Sequence, residues 1–282
     1  MIDRHPWLDA LAHAVLIIGV LVVAFPVYVA VIASTHGPND FMSGLVPLLP
    51  GGEMVANYRS MLTDGLSSSG APPLGGMLLN SLVMALAIAF GKIVISILSA
   101  YAIVYFRFPF RAVAFWMIFI TLMLPVEVRI VPTFKVVADL GLLDSYAGLT
   151  IPLIASATAT FLFRQFFLTV PDELMEAARI DGAGPLKFFR DILLPLSRTN
   201  IAALFVILFI YGWNQYLWPL MVTTTSSHYT IVMGIKRMSD VADALPQWNV
   251  VMTTVVLAML PPVIVVVGMQ RLFVKGLIET EK

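Results

Sequence analysis

Apolar residues run in long unbroken blocks along this chain, and these blocks, not any short alternation, set its architecture. A helix needs roughly 20 mostly apolar residues to cross about 30 Å of hydrocarbon. Stretches at about 10–33, 80–106, 112–134, 147–168, 201–222 and 249–273 each reach that length. The first begins behind Arg4 and His5, exceeds a signal-peptide core and lacks an A-x-A cleavage site, so it reads as retained. The pattern predicts an all-α membrane protein in which residues 1–282 form a single transmembrane domain of six helices.

The polar residues between the blocks set the orientation. Lys and Arg accumulate in cytoplasmic loops. With both termini inside, the cytoplasmic segments hold Arg4, Arg107, Arg111, Arg164, Arg179, Lys187, Arg190, Arg198, Arg271, Lys275 and Lys282. The outer segments hold only Arg59, Arg129, Lys135, Lys236 and Arg237, and Lys92 falls inside the second span. The outer loop from Ser34 to Pro73 is rich in Gly, Pro and Ser and predicts irregular structure. No internal repeat is visible.

Composition agrees and narrows the chemistry. Charged residues make up 12% of the chain against roughly 25% in soluble domains. Lys+Arg and Asp+Glu both number 17, so the balance gives no reason to expect nucleic acid as a partner. Cysteine is absent, which excludes disulfides and thiolate chemistry. The four histidines, His5, His13, His36 and His228, are scattered near the N-terminus and in outer loops, with no H-E-x-x-H and no nucleophile constellation. Neither a catalytic nor a metal site is expected. A P-loop requires G-x-x-x-x-G-K-[ST]. Gly91-Lys92 has Leu86 at the first glycine position and Ile93 after the lysine. The chain is therefore expected to bind no ATP of its own.

The longest cytoplasmic loop, about 169–199, is the one dense patch of charge, glycine and proline. Thr169 is a candidate N-cap, Pro171 fits a first turn, and Asp172 and Glu173 sit where the helix dipole favours negative charge. Leu174, Ala177, Ala178 and Asp181 recur at helical spacing and predict a narrow stripe able to dock closely. Gly182, Gly184 and Pro185 break the helix, and LKFFRDILL restarts it as far as Pro195. The prediction is two short helices joined by a tight bend.

Within this loop, Glu176-Ala177-Ala178, three residues, Gly182, nine residues, Ile192, one residue and Leu194-Pro195 fill every position of a known pattern. It resembles the EAA loop of permease subunits of binding-protein-dependent ABC importers. RFPFR, LPVEVRIVP, LLDSYAGLTIP, FLFRQFF and WNQYLWPL resemble the carbohydrate-type branch of that family, and within it FWMIFITLMLPVEVRIVPT (115–133) and FIYGWNQYLWPL (209–220) most resemble the sn-glycerol-3-phosphate importers. The resemblance implies a type I permease fold in the bacterial inner membrane and a coupling helix docked on a homodimeric ATPase that carries the ATP and Mg. A second homologous permease subunit, an extracytoplasmic solute-binding protein and surrounding membrane lipid complete the implied partners. It further implies that Glu176 pairs with a basic residue of the ATPase, with Arg179 and Asp181 beside it, and that Gly182 permits the bend. The implied cargo is sn-glycerol 3-phosphate or a glycerophosphodiester, with a sugar or other polyol as the alternative. The outer loops 34–79 and 223–248 are expected to meet the binding protein.

Ionisable groups inside a span are costly and mark a pathway or a pair. At 1.5 Å per residue, Lys92 lies about 22 Å above Arg107, Glu127 about 24 Å above Arg111 and Asn214 about 21 Å above Asn200. They define one polar layer in the outer half of the membrane. In one reading Lys92 and Glu127 form a buried pair holding two spans together. In the other, Lys92, Arg129, Asn214 and Gln215 line a path that offers donors to a phosphate or hydroxyls, with Trp213, Tyr216 and Trp218 as its wall. Tyr216 and Trp218 also fit as interfacial anchors. An ion-coupled carrier or channel is the competing class, and it would place several carboxylates or histidines in the spans, where only Glu127 qualifies.

Overall fold

The computed structural model describes residues 6–66, 70–121, 126–240 and 246–279, with side chains undescribed at 6, 126–127 and 273–279. Among them the regular structure is helical. The chain forms two compact units. One comprises Met1–Gly75 with Gly234–Leu260, the other Gly76–Met233 with Pro261–Lys282.

In the first unit, α1 (Pro6–Ala33) is a 28-residue apolar helix buried only near its end, at Ala30, Ile32 and Ala33. The segment after it is fastened by its own polar groups. Asn57, on α2 (Met54–Thr63), donates to the carbonyl oxygens of Ser34 and His36 at 2.9 and 2.8 Å, and its own oxygen accepts from Asn249 at 2.9 Å. Asn57 and Asn249 are buried, so each amide needs the partners it has.

The second unit is organised around α3 (Leu74–Tyr105), from Gly76 onward. α4 (Arg111–Ile120) and α5 (Val126–Asp139) follow it. α6 (Tyr146–Thr150) leads through a short 3-10 turn into α7 (Ala157–Phe167), with a 46° bend between them. Ser156 caps α7, accepting from the Ala159 amide, while Ser96 of α3 donates to the Ser156 carbonyl at 3.1 Å. A Cβ at Gly91 would lie 2.7 Å from Ile154 Cγ2, so glycine lets α3 pass close to the bend. The core joins Met84 and Ile88 of α3 to Ile130 and Val137 of α5, Leu149 of α6, and Trp218 and Val222.

α8 (Asp172–Ile180) and α9 (Pro185–Phe188) precede a π-turn, Phe189–Leu193, and α10 (Leu194–Leu196). Next come α11 (Arg198–Trp213), α12 (Leu217–Val222), α13 (Ile231–Ser239) and α14 (Trp248–Glu279).

α1, α3 and α14 are long and apolar enough to cross a membrane, as are two bent pairs, Tyr146–Leu153 with Ala157–Phe167 and Pro185–Leu196 with Arg198–Trp213. The expected span 112–134 is divided: α4 ends at Ile120, α5 begins at Val126, and residues 122–125 lie outside the described residues. The expected span 201–222 is also interrupted. α11 stops at Trp213 and the chain resumes as α12 at Leu217. Pro219 explains the break, because its ring would collide with the Gln215 carbonyl in a continuous helix.

Candidate functional site

Two places carry the chemistry expected of the sequence, and both lie in the second unit. The first is the segment between α7 and α11. α8 begins one residue after Pro171, whose extended ψ of 137° prepares the turn. Thr169 does not cap it: its hydroxyl turns back to the Phe166 carbonyl at 2.7 Å. Asp172 and Glu173 occupy the first turn as expected.

The end of α8 is a Schellman motif. Ala183 donates to the Ala178 carbonyl at 2.8 Å and Gly182 to that of Arg179 at 3.0 Å, with Gly182 at φ +71°. Of the EAA residues, Ala178 is buried and turned inward, while Glu176, Ala177, Arg179 and Asp181 face outward. Ile180 is 86% exposed and Leu186 82%, so the outward face mixes charge with bare aliphatic surface.

Behind that face lies a groove of about 950 Å³ bordered by Tyr101, Tyr105, Met175, Glu176, Arg179 and Phe188. Tyr105 packs on Phe188 at 5.3 Å, and Tyr101 donates to the Pro185 carbonyl. The segment ends in the π-turn, where Ile192 is half-buried. Leu194 opens α10, half-buried, and Pro195 follows it, exposed. Ser197 donates to the Leu193 carbonyl at 2.6 Å where the chain bends by 70° into α11. A π-turn, a proline and a back-bonded serine are sufficient cause for so sharp a kink.

The second place is a cavity of about 150 Å³ walled by α3, α5, the bend before α7, the end of α11 and α12. Lys92, Arg129, Thr133, Tyr211, Gln215 and Trp218 line it. Lys92 is 7% exposed, and its Nζ stands 3.8 Å above the Tyr211 ring, a cation–π contact. Gln215 donates to the Tyr211 carbonyl at 3.1 Å, and Trp218 is fixed by donating Nε1–H to the Gly148 carbonyl at 3.1 Å. Among the described lining residues there is no carboxylate, so two cations share a small cavity.

Of the residues expected in the polar layer, Lys92, Arg129 and Gln215 are therefore brought together, and Trp218 is wall. Trp213 is not: it is buried and stacks on Phe209 at 5.8 Å. Asn214 ends α11 as an exposed residue away from the cavity lining. The side chain of Glu127 and its expected pairing with Lys92 lie outside the described residues. Thr133 and Tyr211 were not anticipated; Tyr211 precedes Gln215 by one helical turn, which was the available signal. Lys92 lies in the middle of α3, which offers no loop of free amides to cradle a nucleotide phosphate.

Residues 92–279 match the family model described as binding-protein-dependent transport system inner membrane component. The chain belongs to this family. These inner-membrane components include relatives that align with it from end to end, all described as sn-glycerol-3-phosphate transport system permease protein UgpE. The protein of Agrobacterium fabrum is 64% identical over 282 residues, covering 100% of both chains. Those of Rhizobium meliloti and Pectobacterium atrosepticum are 61% and 58% identical over the same full length. Among solved structures, a bacterial ABC transporter involved in the import of the acidic polysaccharide alginate superposes with a TM-score of 0.81 over 96% of this chain and 98% of that one. At 23% identity that likeness establishes the fold of an importer permease.

Proposed function

We propose that this inner-membrane component is a permease subunit of an ATP-driven importer whose cargo is sn-glycerol 3-phosphate. The end-to-end likeness to permeases of that name carries the reading. The chain crosses the membrane six times as one permease domain, with both termini cytoplasmic. α8 to α10 form the coupling element, seated in a separate homodimeric ATPase that binds ATP and Mg. Glu176 supplies the charge for that contact, Ile180 and Leu186 its apolar area, and Gly182 its bend.

A second, homologous permease subunit completes the path, because a cavity of about 150 Å³ on one chain is a half-site rather than a channel. Lys92 and Arg129 are suited to meet a phosphate there, and Gln215 and Thr133 to meet hydroxyls. Closure of the ATPase dimer moves both coupling elements together and opens the path outward, where an extracytoplasmic binding protein delivers the cargo.

The test is uptake into proteoliposomes holding this chain, its permease partner and the ATPase, with binding protein added outside. Glycerol 3-phosphate is expected to accumulate only with ATP, maltose is not, and Lys92→Met should depress uptake. Uptake of maltose in preference, or uptake by this chain without an ATPase, would refute the reading.

A further inference from the structure

A third cavity, of about 450 Å³, opens between the end of α3, α4 and α7, and it shares Val104, Arg111 and Leu168 with the groove beside α8. It shares no lining residue with the Lys92 cavity, so it is no part of that half-site. Two arginines face it. Arg164, in the last turn of α7, has its guanidinium 4.2 Å from the Phe115 ring, and its Nε–H is buried with no hydrogen-bond partner among the described residues. Arg111 opens α4 and is exposed. Among the described residues, no aspartate or glutamate lines the cavity.

The rest of the wall is mainly apolar, with four aromatic rings among aliphatic side chains and Gln165 as its other polar residue. Phe115, Trp116 and Phe119 come from α4, and Phe161 of α7 meets Phe119 at 5.6 Å. The adjoining surface of α4 is bare hydrocarbon, with Trp116 57% and Met117 61% exposed. A buried donor left unpaired beside a second cation asks for an anion. An aromatic wall continuous with a membrane-facing helix asks that this anion carry an apolar chain.

We infer that this cavity binds the phosphate and upper acyl chain of an anionic phospholipid, Arg164 and Arg111 holding the phosphate and the α4 aromatics the chain. The inference rests on the orientation proposed above. Arg164 is about 5 Å from the end of α7, beyond which the coupling element begins, so the arginines sit at headgroup depth in the cytoplasmic leaflet. Of soluble and lipid anions, only the lipid uses both halves of the wall.

The test uses the assembled transporter with its ATPase, permease partner and binding protein. Native mass spectrometry after exposure to phosphatidylglycerol or phosphatidylcholine should find phosphatidylglycerol retained by the wild type. Arg111→Gln with Arg164→Gln should cut that retention at least about tenfold, the effect of one lost charge-assisted contact. Arg164→Lys, which keeps the charge, should fall between. If Arg164→Gln does not accumulate, Arg111→Gln alone gives the same reading.

In phosphatidylcholine vesicles Arg164→Gln, which lies outside the groove beside α8, should take up cargo as the wild type does, while added phosphatidylglycerol should accelerate only the wild type. Equal retention by both proteins would overturn the inference. So would loss of the permease partner from the variant, which would make the occupant a protein, or displacement of the lipid by inorganic phosphate. A wild type that retains phosphatidylglycerol yet never transports would instead count against the importer reading alone.

Discussion

Tyr101 donates its hydroxyl to the Pro185 carbonyl oxygen at 2.8 Å, and its ring lies 4.9 Å from that of Phe189. One residue of the longest helix in its unit thus holds the base of the proposed coupling element by a polar and an aromatic contact at once. Under the proposed coupling role, this contact is the route by which displacement of α9 and the π-turn would reach α3, which carries Lys92 on the same rod.

Tyr101→Phe keeps the ring and removes the donor. A net loss of about 1 kcal/mol is expected from one hydrogen bond, or roughly 2–4 °C in the melting temperature of a chain this size. The larger effect should fall on coupling: less cargo moved per ATP hydrolysed by the reconstituted complex. An unchanged ratio with a lowered melting temperature would confine Tyr101 to stability.

Gly182 has open space around the position of a Cβ, so its requirement is conformational: φ is +71°. Gly182→Ala should cost about 1–2 kcal/mol locally and loosen the Schellman end of α8, seen as faster proteolysis of the 172–196 segment. Gly182→Asn should be milder, because asparagine tolerates this conformation. Equal protease resistance in glycine and alanine forms would contradict the account.

Gly212 answers to sterics. A Cβ there would come 2.9 Å from the Ala85 Cα, backbone that cannot swing away, so α11 and α3 cross at glycine contact. Gly212→Ala should cost about 1–3 kcal/mol through forced separation of the helices. Gly268→Ala, inside α14 with nothing within 4 Å, should instead raise the melting temperature slightly through alanine's helix preference, about 0.5–1 kcal/mol.

His36 gives a pH dependence. Its Nε2 faces the Leu49 carbonyl at 2.7 Å and its Nδ1 the Asp40 carboxylate at 2.9 Å, two acceptors that favour the protonated ring, the form that donates from both nitrogens. The backbone contact and then Asp40 raise its pKa above the ordinary 6.5, while Asp40 is lowered by His36 and the Gly37 amide. For a raised histidine, the stabilisation is complete below 6.5 and fades as pH climbs through the folded value. Asp40 acts oppositely: its stabilisation is present above 3.8 and lost as acid passes its folded value. The wild type should therefore lose melting temperature on going from about pH 6 to 8, and His36→Gln should not. Parallel curves would rule out the imidazolium.

The sequence disclosed what local chemistry decides. The two short helices and their bend followed from Gly182, Gly184 and Pro185, since a positive φ and a missing amide act over a few residues. Rise per residue put Lys92, Glu127 and Asn214 at one height; of these Lys92 lines the cavity, with Arg129 and Gln215, whereas Asn214 does not and the Glu127 side chain lies outside the described residues. Rotation was less accessible. Trp213 shares that height, but it is the last residue of α11 and is buried facing Phe209, whereas Gln215 lies in the break after the helix. The interruption before Leu217 was signalled by Pro219 yet hidden by hydropathy, which sees apolar residues on both sides. The Arg164 cavity depends on contacts between segments distant in sequence, which no single window contains.

The central claim is that α8 to α10 seat a separate ATPase, and the most direct measurement is recovery of that ATPase with affinity-purified permease from membranes. Glu176→Lys and Ile180→Glu are expected to lose the ATPase, by about tenfold or more, while the permease stays inserted with its partner subunit. Undiminished ATPase recovery together with undiminished uptake in both variants would contradict the account.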